Sequence, residues 1–340
     1  MPIDTIYLTR HGHRLNWTID PKTGIYSSQF PTPSGNPSDP KLTSHGVAQS
    51  HELARHIASP DVTPKPFRVY SSPFWRCLET VEPSVRALKS GKEGKVEGIE
   101  KDAEFEIRVE NGLGEWFGST TFFHHPTPPT LSTLTNPTNL SRIPSPFTLN
   151  TICKTPLLYT STRGESIPQL HNRLATTLAG IIREVDAEVN ALEASLPAED
   201  RTSKAILICS HAAPLIAIGR VLTGHMPLDS GEEDFYVFTA GLSTFRRRRG
   251  GMGFVAEEKG KGSLAEGTRI TNPEDTSVPD WEGGRGVGGG WDCVVNCDCS
   301  FLSSGAERGW HFNGEESFDT GPMADVTTSA EGEMRLGTKL

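Results

Sequence analysis

The sequence predicts an α/β fold, a three-layer α/β/α sandwich with a mostly parallel central sheet, because strand-like runs alternate with helical patterns along the chain. Residues 3–9 are rich in β-branched and aromatic residues, and residues 204–210 form the nearly continuous apolar run that is typical of a central parallel strand. Residues 44–59 and 164–194 carry apolar side chains at helical spacing. These observations predict a sheet covered by helices on both faces.

The remaining predicted elements continue the alternation of strands and helices along the chain. They are a strand over Phe67–Ser71, a helix from Pro73 to about Leu88, a helix over Ala212–Leu222, and strands over Val237–Phe245 and Trp291–Leu302. Proline is tolerated at the start of the second helix, because its missing N–H needs no partner there.

The composition excludes several classes of protein. The chain has 340 residues, 35% of them hydrophobic, and a formal net charge of −9, so general adhesion to nucleic acid or an anionic membrane is not expected. No run of 18 apolar residues and no secretory signal is recognisable. Six cysteines in a chain without a signal indicate reduced thiols, hence a cytoplasmic or nuclear location or both.

The distribution of proline, glycine and polar residues predicts one domain with irregular insertions. We expect a single domain over residues 1–305, with insertions at about 18–42, 119–160 and 246–290. Residues 306–340 are expected to form a polar C-terminal tail.

The strongest chemical signal is Arg10-His11-Gly12, which follows the first predicted strand. A neutral imidazole is a nucleophile, and guanidinium groups such as that of nearby Arg14 bind phosphate in a bidentate manner. Arg76 follows a second strand, and His211 follows the apolar strand 204–210. Because ligands bind beyond the carboxyl ends of strands in such sheets, we expect these side chains to meet there.

A proton donor is also expected. Glu115 lies beside Trp116 in a glycine-rich segment, and desolvation there is expected to raise the pKa of its carboxyl group. Glu110 and Glu106 remain competing carboxylates, because a long insertion follows Glu115 directly.

The chain resembles the histidine phosphatase superfamily, which has the phosphoglycerate-mutase-like fold. The resemblance rests on five short motifs in the family's order, Arg10–Gly12, Leu42–Gln49, Ser71–Thr80, Gly164–Ser166 and Ser210–His211. The segments Arg10–Arg14 and Arg108–Trp116 most resemble one branch. That branch includes the phosphatase domain of the ubiquitin-associated and SH3-containing proteins and the phosphatase-like subunit of polymerase III transcription factor C.

The resemblance implies a histidine acid phosphatase, a phosphomonoester hydrolase that needs neither a metal ion nor a cofactor. His11 would form phosphohistidine, Glu115 would protonate the leaving oxygen, and His211 would donate a hydrogen bond to the phosphoryl group. The arginines implied to bind the phosphoryl group are Arg10, Arg14 and Arg76. The substrate would be a phosphorylated small molecule or a phosphoprotein.

Two other functions remain open. The chain could be an assembly subunit of a polymerase III transcription factor complex, with weak or no catalysis. It could also be a phosphomutase, although His13 and Arg14 depart from the mutase pattern.

Several of these residues have structural alternatives. Arg14 could be a solvated cation, Arg76 could pair with Glu79 on its own helix, and His211 could simply cap a helix. Glu165 is expected to be structural, as a first-turn carboxylate near free helix N–H groups. The run Arg246–Arg249 is expected to be a solvated strand end rather than a nuclear localisation signal.

Metal binding is disfavoured at both clusters of ligand-type residues. His11 and His13 are flanked by arginines, which would repel a cation. Cys293, Cys297 and Cys299 fit no strong zinc spacing.

Overall fold

The computed structural model describes residues 2–92, 94, 96–135, 145–151, 155–248, 260, 262–271 and 278–312. The strands are β1 (Thr5–Arg10), β2 (Trp17–Asp20), β3 (Ile25–Ser28), β4 (Pro66–Ser71), β5 (Arg108–Val109), β6 (Leu158–Tyr159), β7 (Ala205–Ser210), β8 (Leu242–Arg247), β9 (Arg269–Ile270) and β10 (Trp291–Asp298). The α-helices are α1 (Ser44–Ala58), α2 (Trp75–Gly91), α3 (Leu131–Thr135), α4 (Ile167–Glu193) and α5 (Ala212–Thr223).

The central sheet has the strand order β10-β8-β1-β7-β4-β5. Strands β1 and β4 both pair with β7 in parallel, and β5 continues the sheet in parallel with β4. Only β8 runs in the opposite direction, since it pairs antiparallel with both β1 and β10. The predicted mostly parallel α/β sheet is therefore confirmed.

The core lies on both faces of this sheet. Every residue of β4 and β7 is buried, as expected for strands covered by helices on both sides. Helices α1 and α2 pack on each other, as do α4 and α5. None of the helices formed by the described residues combines the length and apolar character needed to cross a membrane.

Helix boundaries follow local chemistry. The Thr43 hydroxyl accepts a hydrogen bond from Gly46 N and caps α1, as the sequence predicts. At α4, Ser166 and Gln169 form a capping box, and α5 ends at Gly224 in the left-handed conformation. Pro83 is accommodated inside α2.

The predicted irregular segments contain more structure than expected. Segment 18–42 includes most of the β2–β3 hairpin, and 119–160 includes α3 and β6. The predicted strand over Val237–Phe245 begins only at Leu242, because Ala240 adopts a left-handed conformation with φ of 56°. The third insertion cannot begin at 246, since Arg246 and Arg247 belong to β8.

The predicted tail also begins too early. Residues 306–312 pack on the fold, where Phe312 is buried and the ring of Trp310 lies 6.4 Å from that of Trp116. Residues 313–340 lie outside the described residues.

The described arginines of this run, Arg246–Arg248, are partly exposed and each forms polar contacts, so they are not a free basic patch. Arg247 pairs with Asp186 at 2.8 Å, and Arg248 pairs with Asp292 at 2.7 Å. Arg246 donates to Thr63 O at 2.8 Å. Arg249 lies outside the described residues.

Candidate active site

The sheet brings the candidate residues to one edge. His11 follows β1, His211 follows β7 and caps α5, and Arg76 lies in the first turn of α2 after β4. Since β1, β7 and β4 are parallel neighbours, their carboxyl ends open onto the same crevice.

Four predicted residues are in direct proximity. The rings of His11 and His211 have centroids 5.3 Å apart in an edge-on arrangement. Glu115 Oε2 accepts a hydrogen bond from Arg76 Nη2 at 3.0 Å and lies 3.3 Å from His211 Nδ1. One potential ligand atom from each of His11, Glu115 and His211 falls within 4.8 Å of the others. The sequence-predicted acid, nucleophile and second histidine thus form one cluster.

A backbone carbonyl orients the imidazole of His11. His11 Nδ1 lies 2.8 Å from Gly12 O, and because a carbonyl can only accept, Nδ1 carries the proton. The lone pair is then on Nε2. Burial, followed by the positive charge of Arg76, lowers the pKa of His11 well below its usual range, so the ring stays neutral.

Glycine is required beside this histidine. A Cβ on Gly12 would lie 2.9 Å from Gly46 O, and a Cβ on Gly46 would lie 2.0 Å from His13 O. The loop after β1 and the first turn of α1 therefore pack backbone against backbone. Gly12 N also donates to Thr80 Oγ1 at 2.9 Å, which ties the loop to α2.

Two buried guanidinium groups have unused donors. Arg76 donates from Nη1 to Ser38 O at 2.9 Å and from Nη2 to Glu115, and Arg10 donates from Nη1 to Val237 O at 2.7 Å and to Arg308 O. The Nε atoms of both arginines are buried and have no partner among the described residues. Because buried donors are rarely left unpaired, this pattern indicates an anion-binding site.

Arg14 also faces the cluster rather than solvent alone. Its guanidinium lies 5.8 Å from the ring centroid of Trp17, and Nη1 donates to Leu15 O at 2.9 Å. Burial and then the charge of Arg76 lower the pKa of Arg14 to about 10. Among the described residues, no carboxylate pairs with it.

Glu115 differs electrostatically from the sequence-based expectation. Burial raises the pKa of its carboxyl group, but the charges of His211 and Arg76 outweigh burial and hold the pKa well below the usual range. The expected raised pKa of Glu115 is therefore wrong. Conversely, burial lowers the pKa of His211, but Cys77 and Glu115 outweigh it, and the net pKa is raised. These opposite directions favour an ion pair between the Glu115 carboxylate and a protonated His211.

The competing carboxylates have other roles. Buried Glu110 accepts hydrogen bonds from Gly112 N at 2.8 Å and Leu157 N at 2.7 Å, and burial raises its pKa to about 7. Glu106 pairs with Lys89 at 2.7 Å. Of the carboxylates considered from sequence, Glu115 is the one that contacts the site.

The remaining alternatives are resolved by contacts. Glu79 accepts from Leu42 N at 2.8 Å, while Arg76 pairs with Glu115. Glu165 is structural, but it pairs with buried Arg173 at 2.5 Å rather than with free helix N–H groups.

Sequence reasoning missed Asp39, which lies in the proline-rich segment. Its side chain is fully buried, and Oδ1 accepts from Trp75 N at 2.7 Å at the start of α2. The same oxygen is 3.7 Å from Arg76 Nη1. Burial raises its pKa to about 6 despite this cation. No motif or periodicity marks it in the sequence.

Ser72 was also missed. Ser72 Oγ lies 2.8 Å from His211 Nε2, and Cys77 Sγ lies 3.5 Å from the same nitrogen. The edge-on ring of Phe74, 5.1 Å from the His211 ring, packs beside them. These groups fix the orientation of His211.

The cluster His11, Glu115 and His211 consists of residue types that bind metals. Arg10, Arg14 and Arg76 all act on the His11 imidazole as positive charges. A cation at this point would be repelled, whereas an anion would be attracted.

The chain is similar to several known proteins. The chain is 26% identical over 328 residues to the transcription factor tau 55 kDa subunit of Saccharomyces cerevisiae, and the aligned region covers 92% of this chain. It spans 59% of the length of that curated relative.

Solved phosphatases are also similar in structure. The ecdysone phosphate phosphatase of Bombix mori, solved with tungstate, matches with a TM-score of 0.47 and 15% identity over 72% of this chain and 89% of that one. A phosphoserine phosphatase of Entamoeba histolytica, solved with 3-phosphoglyceric acid, matches with a TM-score of 0.32 and 17% identity over 71% of this chain and 89% of that one.

Residues 6–122 match the model of the histidine phosphatase superfamily, branch 1. This segment contains most of β1 and all of α1, β4 and α2, together with His11, Arg76 and Glu115. Through this segment, the chain is similar to the histidine phosphatase superfamily.

Proposed function

We propose that the chain is a phosphomonoester hydrolase that acts through a phosphohistidine intermediate without a metal ion. The observation that carries this proposal is the pair of unpartnered, buried guanidinium nitrogens, Arg10 Nε and Arg76 Nε, beside an imidazole whose Nε2 is free to attack. Phosphoryl transfer needs mainly positioning and stabilisation of spread negative charge. Guanidinium groups supply that stabilisation here.

In the first step, the lone pair of His11 Nε2 forms a bond to phosphorus while the bond from phosphorus to the ester oxygen breaks. Arg10, Arg14 and Arg76 bind the three equatorial oxygens. The proton shared by Glu115 and His211 passes to the leaving oxygen, which departs as the alcohol. In the second step, water attacks the phosphohistidine and gives its proton to Glu115, releasing phosphate and restoring His11.

The lowered pKa of Glu115 is compatible with this role. A phosphate dianion next to the carboxylate would repel its negative charge and raise its pKa. The proton would then move from His211 toward Glu115 as substrate binds. Glu115 would therefore become protonated, and able to act as the proton donor, only when a phosphoryl group is bound.

The test uses hydrolysis of p-nitrophenyl phosphate by the purified chain in the presence of EDTA. We expect turnover by the wild type and a loss of at least about 10³-fold in His11→Ala, because the nucleophile is removed. His51→Ala, on the exposed face of α1, is the matched control and is expected to retain activity.

The intermediate is tested separately. Rapid quenching of the reaction with a ³²P-labelled ester is expected to give protein-bound label that is stable to base and labile to acid. Equal activity of the wild type and His11→Ala, or a complete dependence on divalent metal, would contradict the proposal.

A second candidate function is assembly into a transcription factor, because the curated relative is a subunit of transcription factor tau. In that case the chain would be nuclear, and the pocket would contribute little to its role. Affinity purification of the tagged chain from nuclear extract is expected to recover other transcription factor subunits. Recovery of these subunits by wild type and His11→Ala alike would show that assembly is independent of catalysis.

A further inference from the structure

The C-terminal segment 303–312 contacts an arginine of the candidate site, although it lies outside the region of the family match. Thr239 N donates to Glu307 O at 3.1 Å, and Arg10 Nη1 donates to Arg308 O. Beyond them, buried Phe312 anchors the segment. The backbone of Arg308 is therefore held directly against an arginine of the pocket.

A side-chain network ties the same segment to the loop after β1. Glu307 Oε2 accepts from Gln49 Nε2 at 3.0 Å and lies 2.6 Å from His45 Nε2. Gln49 Oε1 in turn accepts from His13 N at 2.8 Å. His13 is two residues from His11. The hydrogen bonds from Glu307 through Gln49 to His13 therefore hold the loop that follows the proposed nucleophile.

The Arg308 side chain is exposed, and no carboxylate pairs with it among the residues described. It has φ of 50°, in the left-handed region, so the chain turns sharply at this residue. Burial is the largest cause of the lowered pKa of Arg10, Arg14 and His13, and the charge of Arg308 acts in the same direction. Glu115 raises the pKa of both arginines and Glu307 raises that of His13, so the positive charge is partly offset but extends to the rim.

We propose that Arg308 binds a second anionic group of the substrate, so that the chain prefers phosphomonoesters carrying a further carboxylate or phosphate near the reacting phosphoryl group. This inference rests on the proposed function, since it concerns the same pocket. Arg308 would hold the second anion at the rim while the buried arginines hold the first. An exposed arginine of this kind discriminates between substrates and does not take part in bond breaking.

The second anionic group could belong to an acidic phosphopeptide or to a small bisphosphate. The test therefore compares a phosphotyrosine peptide flanked by glutamates with the same peptide flanked by glutamines, and a sugar bisphosphate with the sugar monophosphate. In Arg308→Ala, the preference in kcat/KM for the doubly anionic member is expected to fall about fivefold through KM, the size of one exposed ion pair. Arg308→Lys is expected to retain most of the preference.

The control is Arg55→Ala, which removes an exposed arginine of α1 whose side chain is 72% accessible. If Arg308→Ala loses the preference within only one of the two ligand pairs, the peptides or the sugar phosphates, that pair identifies the source of the second anionic group. An unchanged preference for both pairs in Arg308→Ala would overturn the inference.

A binding assay separates failure of this inference from failure of the proposed function. The dissociation constants of the two peptides are measured with His11→Ala and with His11→Ala/Arg308→Ala, which do not consume the ligand. Tighter binding of the acidic peptide that depends on Arg308 would support the inference even if the wild type hydrolyses nothing. Equal affinities in both variants would refute it even if hydrolysis is rapid.

Discussion

The floor and the rim of the pocket are built in different ways. The floor, defined as His11, Arg76 and His211, is buried and stands at the ends of strands β1, β4 and β7. The rim, defined as His13, Arg14 and Arg308, is at least partly exposed and comes from loops.

This difference separates two tasks. The floor is fixed by a parallel sheet whose strands are covered on both sides, so its geometry is held by the core of the fold. The rim depends on the turn after β1 and on a C-terminal segment far away in sequence. Changes on the floor are expected to have the largest effect on phosphoryl transfer. Changes on the rim are expected to have a smaller effect on transfer, where Arg14 assists in binding the phosphoryl group, and to affect which ester is bound.

The largest effect is expected on the floor. Arg76→Ala is predicted to lower kcat for p-nitrophenyl phosphate about 10³-fold, because it removes a preorganised charge from the phosphoryl group. Arg14→Ala, at the rim, is predicted to cost about tenfold. Steady-state kinetics measure both, and thermal unfolding confirms that Arg76→Ala is folded. Equal losses in the two variants would remove the distinction between floor and rim.

The next effect is expected on stability, from the ion pair between Glu165 and Arg173 that supports the loop before Glu115. Arg173 is buried, pairs with Glu165, and donates from Nη1 to Gly112 O at 2.7 Å and to Gly114 O at 3.1 Å, directly before Glu115. Glu165→Ala leaves this cation unpaired and is predicted to reduce the free energy of unfolding by about 3–5 kcal/mol. Urea denaturation measures the loss.

Exposed Glu199→Ala provides the matched control and is expected to change the free energy of unfolding by at most about 0.5 kcal/mol. A similar small change in Glu165→Ala would show that the loop before Glu115 does not need this ion pair.

The smallest effect is expected from a change of pH on kcat/KM. Burial and the charge of Arg76 lower the pKa of His11, while Cys77 and Glu115 raise the pKa of His211 against the effect of burial. The neutral nucleophile therefore persists below pH 6.5, and the protonated partner persists above it. We expect the pH profile of kcat/KM to show no limb at the usual histidine pKa of about 6.5, once the second ionisation of the ester phosphate, with a pKa of about 6, is corrected for. An acidic limb with an apparent pKa of about 6.5 that remains after this correction would contradict the assignment.

The sequence predicted the floor well for a physical reason. Strand β7 is a continuous apolar run, and β1 is rich in β-branched residues, so both strands and the residues that follow them are recognisable. Parallel pairing then brings His11 and His211 together without further information. The short motifs around Arg76 supplied the third member.

The rim and the supporting contacts could not be predicted in the same way. Asp39 and Arg308 lie in segments without periodicity, and their importance arises from contacts with residues distant in sequence. The pKa of Glu115 was assigned the wrong direction because the sequence shows its apolar neighbour Trp116 but not the charges of Arg76 and His211. Local sequence patterns predict helices and strands, whereas loop contacts and the electrostatic effects of distant charges depend on the completed fold.

The hydrogen bond from His11 Nδ1 to Gly12 O has an evolutionary consequence. In many enzymes a carboxylate side chain orients the attacking or relaying histidine, and one codon change removes it. Here the acceptor is main chain, so no replacement of a side chain abolishes it. The tautomer of the proposed nucleophile can be disturbed only by displacing the backbone, and a Cβ on Gly12 or Gly46 would force such a displacement, since it would come too close to the backbone of Gly46 or His13.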